Sequence, residues 1–129
     1  MKLLLDTHIW IWTLGGSKRL PSRFKKILAD RKTEVLLSPI SVWEILMLAG
    51  KGRLDLKPNP SEWVREALKR WPLREAPLNC AVAIRSHELD LPHPDPADRF
   101  IAATALIYNL QLMTLDDRLR TAAWLPTVK

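Results

Sequence analysis

Short apolar runs alternate along the chain with longer amphipathic segments. Residues 2–5 (KLLL) and 34–38 (EVLLS) are nearly continuous apolar runs, which are typical of strands buried on both faces of a sheet. Residues 21–32 and 60–71 instead carry apolar side chains at helical spacing. Strands that alternate with helices predict an α/β fold: three layers, α/β/α, with a central parallel sheet.

The remaining segments continue this alternation. Residues 7–16 (THIWIWTLGG) fit a helix or a strand and end at a glycine pair. Ser61 is the predicted N-cap of the helix over 60–71, and Asp95 that of a long helix over 96–110. The other predicted helices lie at 40–52 and 79–89, and the other predicted strands at 73–78, 111–117 and, as an edge strand, 124–128.

Length and composition limit the class of protein. A chain of 129 residues is long enough for one core and short for two, so we expect a single domain over residues 1–129. Its apolar runs are too short for a membrane span, and the first ten residues do not form a signal peptide. The single cysteine, Cys80, excludes an intramolecular disulfide and favours a reducing, cytoplasmic location.

The charge balance indicates a polyanionic partner. Lys and Arg number 20 against 14 Asp and Glu, which gives a net charge of +6. An excess of this kind favours nucleic acid as the ligand, although solvated helix faces explain many of the basic residues individually. The residues predicted to contact phosphates are Lys18, Arg19, Lys51, Arg53 and Arg99.

Four acidic residues lie at positions where parallel sheets bind their ligands. Asp6 and Asp116 follow predicted strands, Glu44 lies about one turn into an apolar helix, and Asp98 lies in the first turn of another. Ligands of such sheets bind outside the carboxyl ends of the strands. Each acid alone could be a helix cap or half of an ion pair. Together they predict one acidic cleft.

Convergence of four carboxylates requires a cation. Two carboxylates about 4 Å apart repel by roughly 4 kcal/mol at an effective dielectric near 20. Oxygen ligands without a cysteine or histidine cluster favour Mg²⁺ or Mn²⁺. Such an ion activates water for attack on a phosphodiester, so the pattern predicts a metal-dependent nuclease.

Three other functions also fit parts of the pattern. A phosphoacceptor signalling domain needs a second acid beside Asp6 and a lysine after the last strand, and a phosphatase of the Asp-x-Asp type needs an acid where His8 stands. A nucleic-acid-binding module without catalysis fits the charge but gains nothing from an embedded Glu44. His8 and His93 are further candidates for metal or phosphate contacts, or are ordinary hydrogen-bonded histidines.

Four stretches in the same order resemble the PIN domains, and among these the VapC-type toxins of bacterial toxin–antitoxin pairs. The stretches are LLLDTHIWIW, SPISVWEI, HPDPADRFIAATA and LMTLDDRL. The resemblance covers residues 2–121. It implies a Mg²⁺-dependent (or Mn²⁺-dependent) endoribonuclease with an α/β/α fold.

The resemblance also implies roles for individual residues. The catalytic and metal-binding acids would be Asp6, Glu44, Asp98 and Asp116. Small hydroxyl residues would steady those acids, and Asp95 would begin the helix that carries Asp98. These supporting hydroxyl residues are Thr7, Ser41 and Thr114.

Apolar surface predicts protein partners. The helix over 40–50 is apolar on nearly all sides, and six tryptophans are many for a chain this short. We expect some of Trp10, Trp12, Trp63 and Trp71 to reach the surface. By the resemblance, one surface would close a homodimer and another would bind an apolar helix of a cognate antitoxin, which could place a basic side chain among the acids.

Overall fold

A single parallel sheet forms the middle layer of the protein. The computed structural model describes residues 1–92 and 95–129. The strands are β1 (Lys2–Leu5), β2 (Glu34–Leu37), β3 (Arg74–Glu75) and β4 (Gln111–Met113). They pair in the order β3-β2-β1-β4, and every pair is parallel.

The predicted helices are present with slightly different bounds, and residues 7–16 form a helix rather than a strand. Gly16 ends that helix in the left-handed conformation, with φ 62°. The helices are α1 (Thr7–Gly15), α2 (Ser22–Ala29), α3 (Pro39–Gly50), α4 (Pro60–Arg70), α5 (Cys80–Glu88), α6 (Pro96–Ile107) and α7 (Asp117–Arg120).

Alternate residues of the strands face two separate cores. In β1, Leu3 and Leu5 pack with the core of α1 to α4, whereas Leu4 packs with the core of α5 to α7. In β4, Leu112 and Met113 divide in the same way. Helices therefore cover both faces of the sheet, and the predicted three-layer α/β/α fold is confirmed.

Three local predictions were wrong. Asn59, not Ser61, caps α4, because the Asn59 side chain accepts the amide hydrogen of Glu62. The predicted edge strand at 124–128 is reduced to one parallel bridge between Leu112 and Thr127. The strand predicted to reach residue 117 ends at Met113, because Asp116 begins the short helix α7.

No helix within residues 1–92 and 95–129 is long and apolar enough to cross a membrane.

Candidate active site

The strand order reverses between β1 and β4. From β1 the chain proceeds to β2 and then β3 on one side, and then crosses to β4 on the other side of β1. Such a reversal opens a crevice at the carboxyl ends of the two strands, where α/β proteins bind ligands. Asp6 directly follows β1, and Thr114 directly follows β4. The topology therefore brings the first and last predicted site segments together.

Asp6 is a buried carboxylate held by partners from both segments. Its Oδ1 accepts the amide hydrogen of Thr7 at 2.9 Å, which makes it the N-cap of α1. Its Oδ2 accepts the Thr114 hydroxyl hydrogen at 2.6 Å and lies 3.4 Å from Nδ1 of His8. Asp6 is only 3% exposed. The Asp6 side chain therefore both caps α1 and belongs to the candidate site.

Two hydroxyl groups connect the surrounding segments. Thr114 is fully buried, and its Oγ1 also accepts the amide hydrogen of Asp116 at 3.0 Å. Thr7 donates its hydroxyl hydrogen to the Ser41 hydroxyl at 2.9 Å, which ties α1 to α3. These contacts fix the backbone on which the acids are mounted.

The acids line one cleft of about 220 Å³. Glu44 enters it from α3, Asp98 from the first turn of α6, and Asp116 from the N-cap of α7. Asp95 caps α6 by accepting the amide hydrogen of Ala97 at 3.0 Å, and it also lines the cleft. The remaining lining residues are Asp6, Thr7, His8, Ile11, Leu48 and Arg118.

Crowding of negative charge changes the proton affinity of Asp98. Burial, which is the largest cause, and the charges of Asp95, Asp6 and Asp116 together raise its pKa from 3.8 to about 7. Arg118 opposes it. Only 6% of Asp98 is exposed, so water contributes little to its ionised form.

Glu44 is affected in the same direction. Burial is again the main cause that raises its pKa, and the charges of Asp6 and Asp95 contribute. The Thr7 hydroxyl and His8 oppose the shift. For both acids, burial is the main cause of the raised pKa and neighbouring carboxylates are a further cause.

Comparison with known proteins agrees with this geometry. The model of the PIN domain matches residues 3–125. The chain belongs to the PIN domain family. It is 30% identical over 120 residues to ribonuclease VapC22 of Mycobacterium tuberculosis, an alignment that spans 92% of this chain and 90% of the relative. The predicted family is thus confirmed.

Several solved structures share the fold. VapBC2 from Rickettsia felis, bound to a promoter DNA fragment, has a TM-score of 0.71 at 19% identity, covering 99% of this chain and 98% of that one. VapBC-1 from nontypeable Haemophilus influenzae has a TM-score of 0.72 at 18% identity, covering 100% and 98%. FitAcB from Neisseria gonorrhoeae has a TM-score of 0.69 at 25% identity, covering 98% and 96%.

The structure brings the four predicted acids together, and their roles stay predictions. Within residues 1–92 and 95–129, no group of three or more Asp, Glu, His or Cys side chains is arranged to hold a metal ion. The kind of donor nevertheless fits a hard cation, because the cleft is lined by carboxylates and Asp98 resists ionisation beside them. A divalent ion would add positive charge among these carboxylates.

The five basic residues predicted to contact phosphates have different surroundings in the structure. The Arg99 guanidinium donates to the carbonyls of Ser86, Leu89 and Leu91 at 3.0–3.1 Å. These contacts hold the segment after α5, and the phosphate contact of Arg99 stays a prediction. The other four are exposed and lie outside the cleft lining: Lys18, Arg19, Lys51 and Arg53.

Arg118 is a cleft residue that the sequence analysis missed. Its Nη2 donates to Asp116 Oδ2 at 2.9 Å and lies 3.4 Å from Asp98 Oδ2. The sequence does show a basic residue at position 118, two residues after Asp116, which was predicted to lie at the end of a strand. His8, a candidate from the sequence, does line the cleft, with its Nε2 accepting from the Leu115 amide at 3.4 Å. His93 lies outside the described residues.

Proposed function

We propose that this protein is a metal-dependent endoribonuclease, with residues 1–129 acting as a single nuclease domain. The observation that carries the proposal is the meeting of Asp6, Glu44, Asp98 and Asp116 in one cleft of a PIN domain. The named function of the relative from Mycobacterium tuberculosis, ribonuclease, supports RNA as the substrate. The embedded Glu44 favours cleavage over passive binding of nucleic acid.

Mg²⁺ or Mn²⁺ is the proposed cofactor, and Asp6, Glu44, Asp98 and Asp116 would hold it. When bound, such an ion activates water toward a phosphodiester and stabilises negative charge on the leaving oxygen. Asp6 is oriented by the hydroxyl of Thr114 and the amide of Thr7, which both donate hydrogen bonds to its carboxylate. Asp98, with a pKa of about 7, is the acid that changes its protonation state near neutral pH.

The exposed basic residues would bind the RNA backbone around the cleft. Lys51 is the C-cap of α3 and lies seven and three positions after the cleft residues Glu44 and Leu48, which share one face of that helix. Arg53 follows shortly after. Arg19 lies near the other end of α1, with its guanidinium 6.0 Å from the ring of Trp12, and Lys18 precedes it. Phosphate contacts of this kind make binding dependent on salt.

The proposed protein partner is a cognate antitoxin, as the toxin–antitoxin complexes among the structural neighbours suggest. An apolar groove of about 560 Å³ runs between α1, α2 and α4, with Trp12, Leu28 and Trp71 in its walls. It begins beside the acidic cleft, because the rings of His8 and Trp12 lie 4.9 Å apart. An apolar antitoxin helix would fit there.

A homodimer is proposed from the outer face of α3. Trp43 is 54% exposed, whereas Trp10 is fully buried and Trp63 is partly buried in the core. Large exposed aromatic side chains are typical anchors of interfaces. A dimer mass for the wild type and a monomer mass for Trp43→Ser, at the same micromolar concentration, would support this surface. The reducing cytoplasm is the proposed location.

The experiment that tests the function is cleavage of RNA by the purified protein with Mg²⁺ and with EDTA. We expect cleavage that EDTA abolishes and that Asp98→Asn lowers by at least about a hundredfold. Glu34→Gln is the matched control, because it removes an acid at the opposite edge of the sheet, and it should cleave as the wild type does. RNA binding without cleavage in every ion would contradict the proposal and favour a passive binding module.

A further inference from the structure

Arg118 combines two properties that a structural ion pair does not need. It follows Asp116 by two residues on α7, and its guanidinium lines the acidic cleft. Nε donates to Asp116 Oδ1 at 3.2 Å, and Nη2 donates to Asp116 Oδ2 at 2.9 Å and to Asp98 Oδ2 at 3.4 Å. Yet 55% of the Arg118 side chain is exposed. The same cation thus faces two acids and solvent.

Comparison with Arg99 makes the difference clear. Arg99 donates through Nε, Nη1 and Nη2 to three backbone carbonyls, so its hydrogen-bonding capacity is used within the fold. Nη1 of Arg118 donates no hydrogen bond to any residue in the described ranges 1–92 and 95–129. Ion pairs at exposed positions contribute little to stability and exchange readily. Arg118 is therefore able to change partners.

The acids beneath Arg118 are those that a divalent ion would need. A metal ion bound by Asp98 and Asp116 would compete with the guanidinium and repel it toward the open side of the cleft. The open side is where a phosphodiester would approach, and guanidinium groups bind phosphate oxygens through paired hydrogen bonds. Arg118 would thus lose its contacts with the two carboxylates and gain contacts with the phosphate.

We propose that Arg118 is a phosphate-binding residue of this site, which exchanges its contacts with Asp98 and Asp116 for the phosphodiester of the bound RNA. The inference rests on the proposed ribonuclease function and adds a positioning residue to it. Before RNA binds, the same guanidinium occupies the acids and weakens their hold on the metal ion.

The test separates binding from cleavage. RNA affinity is measured over a range of salt concentrations in an Asp6→Asn chain, which cannot cleave, with and without Arg118→Gln. We expect Arg118→Gln to lower the slope of log affinity against log salt by about 0.7, the loss of one phosphate contact on a single strand. Arg118→Lys should keep the slope but bind more weakly, since lysine lacks the planar pair of donors.

Arg120→Gln is the matched control, because Arg120 lies on the same helix and pairs with Asp117 at 3.7 Å, outside the cleft lining. It should leave the salt slope unchanged. In a chain with Asp6 intact, calorimetric titration with Mn²⁺ should show severalfold tighter binding for Arg118→Gln than for Arg120→Gln.

A salt slope for Arg118→Gln equal to that of Arg120→Gln would overturn the proposal, whatever the Mn²⁺ affinity. If the wild type cleaves RNA in that case, the ribonuclease function stands and the role of Arg118 alone is rejected. If the Asp6→Asn chain binds no RNA and the wild type cleaves none, both are rejected.

Discussion

The two edges of the sheet carry charged residues in opposite arrangements. At the amino edge, the first residues of β1, β2 and β3 are Lys2, Glu34 and Arg74. Glu34 pairs with Arg74, and its carboxylate lies 4.0 Å from Nζ of Lys2. At the carboxyl edge, acids line a cleft in which burial and mutual repulsion raise the pKa of Asp98 to about 7.

The comparison separates an acid supported by exposed ion pairs from an acid whose ionised form is opposed by burial and by neighbouring acids. Glu34 has two cations beside it and is one-third exposed, so water and neighbours both support its charge. Asp98 is buried, and among residues 1–92 and 95–129 the charges of three acids raise its pKa and that of Arg118 lowers it. A protein that keeps such an arrangement stores repulsion that a bound cation can relieve.

The largest effect on stability should come from Asp98→Asn in metal-free protein. Because the pKa of Asp98 is raised in the fold, its contribution to stability is complete below about pH 4 and is lost as the pH rises to about 7. We expect the variant to lose this dependence and to exceed the wild type above pH 7. The difference can reach about 4 kcal/mol, at about 1.4 kcal/mol per pKa unit.

Urea unfolding in EDTA at several pH values from 4 to 8 measures this difference. The quantity to compare is the free energy of unfolding of the variant minus that of the wild type, in which titrating groups away from the cleft cancel. A difference that does not change with pH would contradict the assigned crowding of Asp98.

The acids could be predicted from the sequence because their positions depend on short-range features. An acid that directly follows an apolar strand, as Asp6 does, must lie at the carboxyl edge of a parallel sheet. Asp95 and Pro96 are typical of a helix start, and a helix start fixes where Asp98 lies.

The cations could not be predicted in the same way. Arg99 is adjacent to Asp98, yet its side chain points to the carbonyls of residues 86–91, a segment whose path depends on tertiary packing. Arg118 belongs to a helix of four residues. A helix this short has no repeating pattern of apolar residues from which its position could be predicted. Long flexible side chains choose partners only after the fold has formed.

Thr114→Val should have the next largest effect. It removes the hydroxyl that donates to Asp6 and accepts from the Asp116 amide, both in a buried setting. We expect a loss of about 1–3 kcal/mol in the free energy of unfolding. RNA cleavage should fall about tenfold to a hundredfold, as for groups that orient a metal ligand.

Thr104→Val is the matched control for Thr114→Val. Thr104 is equally buried, but its hydroxyl donates to the Phe100 carbonyl within α6. Its replacement should leave cleavage unchanged. Equal losses of cleavage in the two variants would show that the site responds to any change in the core.

Glu44→Gln should stabilise the metal-free protein above neutral pH, by less than Asp98→Asn does. The pKa of Glu44 is raised chiefly by burial, so its ionised form opposes folding once the pH exceeds that pKa. Thermal unfolding in EDTA at pH 8 measures the effect. A lower melting temperature than that of the wild type would mean that the carboxylate is well paired in the fold.

Glu34→Gln should have the smallest effect and the opposite sign. It weakens exposed ion pairs with Arg74 and Lys2, which are worth within about 1 kcal/mol. The loss should shrink further at high salt because exposed charges are screened. Urea unfolding at low and high salt checks both statements, and a gain in stability would remove the contrast between the two edges.

Calorimetric titration of Mn²⁺ into the metal-free protein at pH 7, in two buffers of different ionisation enthalpy, tests the central claim most directly. We predict binding at the carboxyl edge with release of protons, because Asp98, with a pKa of about 7, is protonated in about half of the molecules at that pH and a metal ion displaces this proton. Proton release should persist in Glu34→Gln and disappear in Asp98→Asn. Absence of binding in the wild type, or the same proton release in Asp98→Asn, would contradict the account.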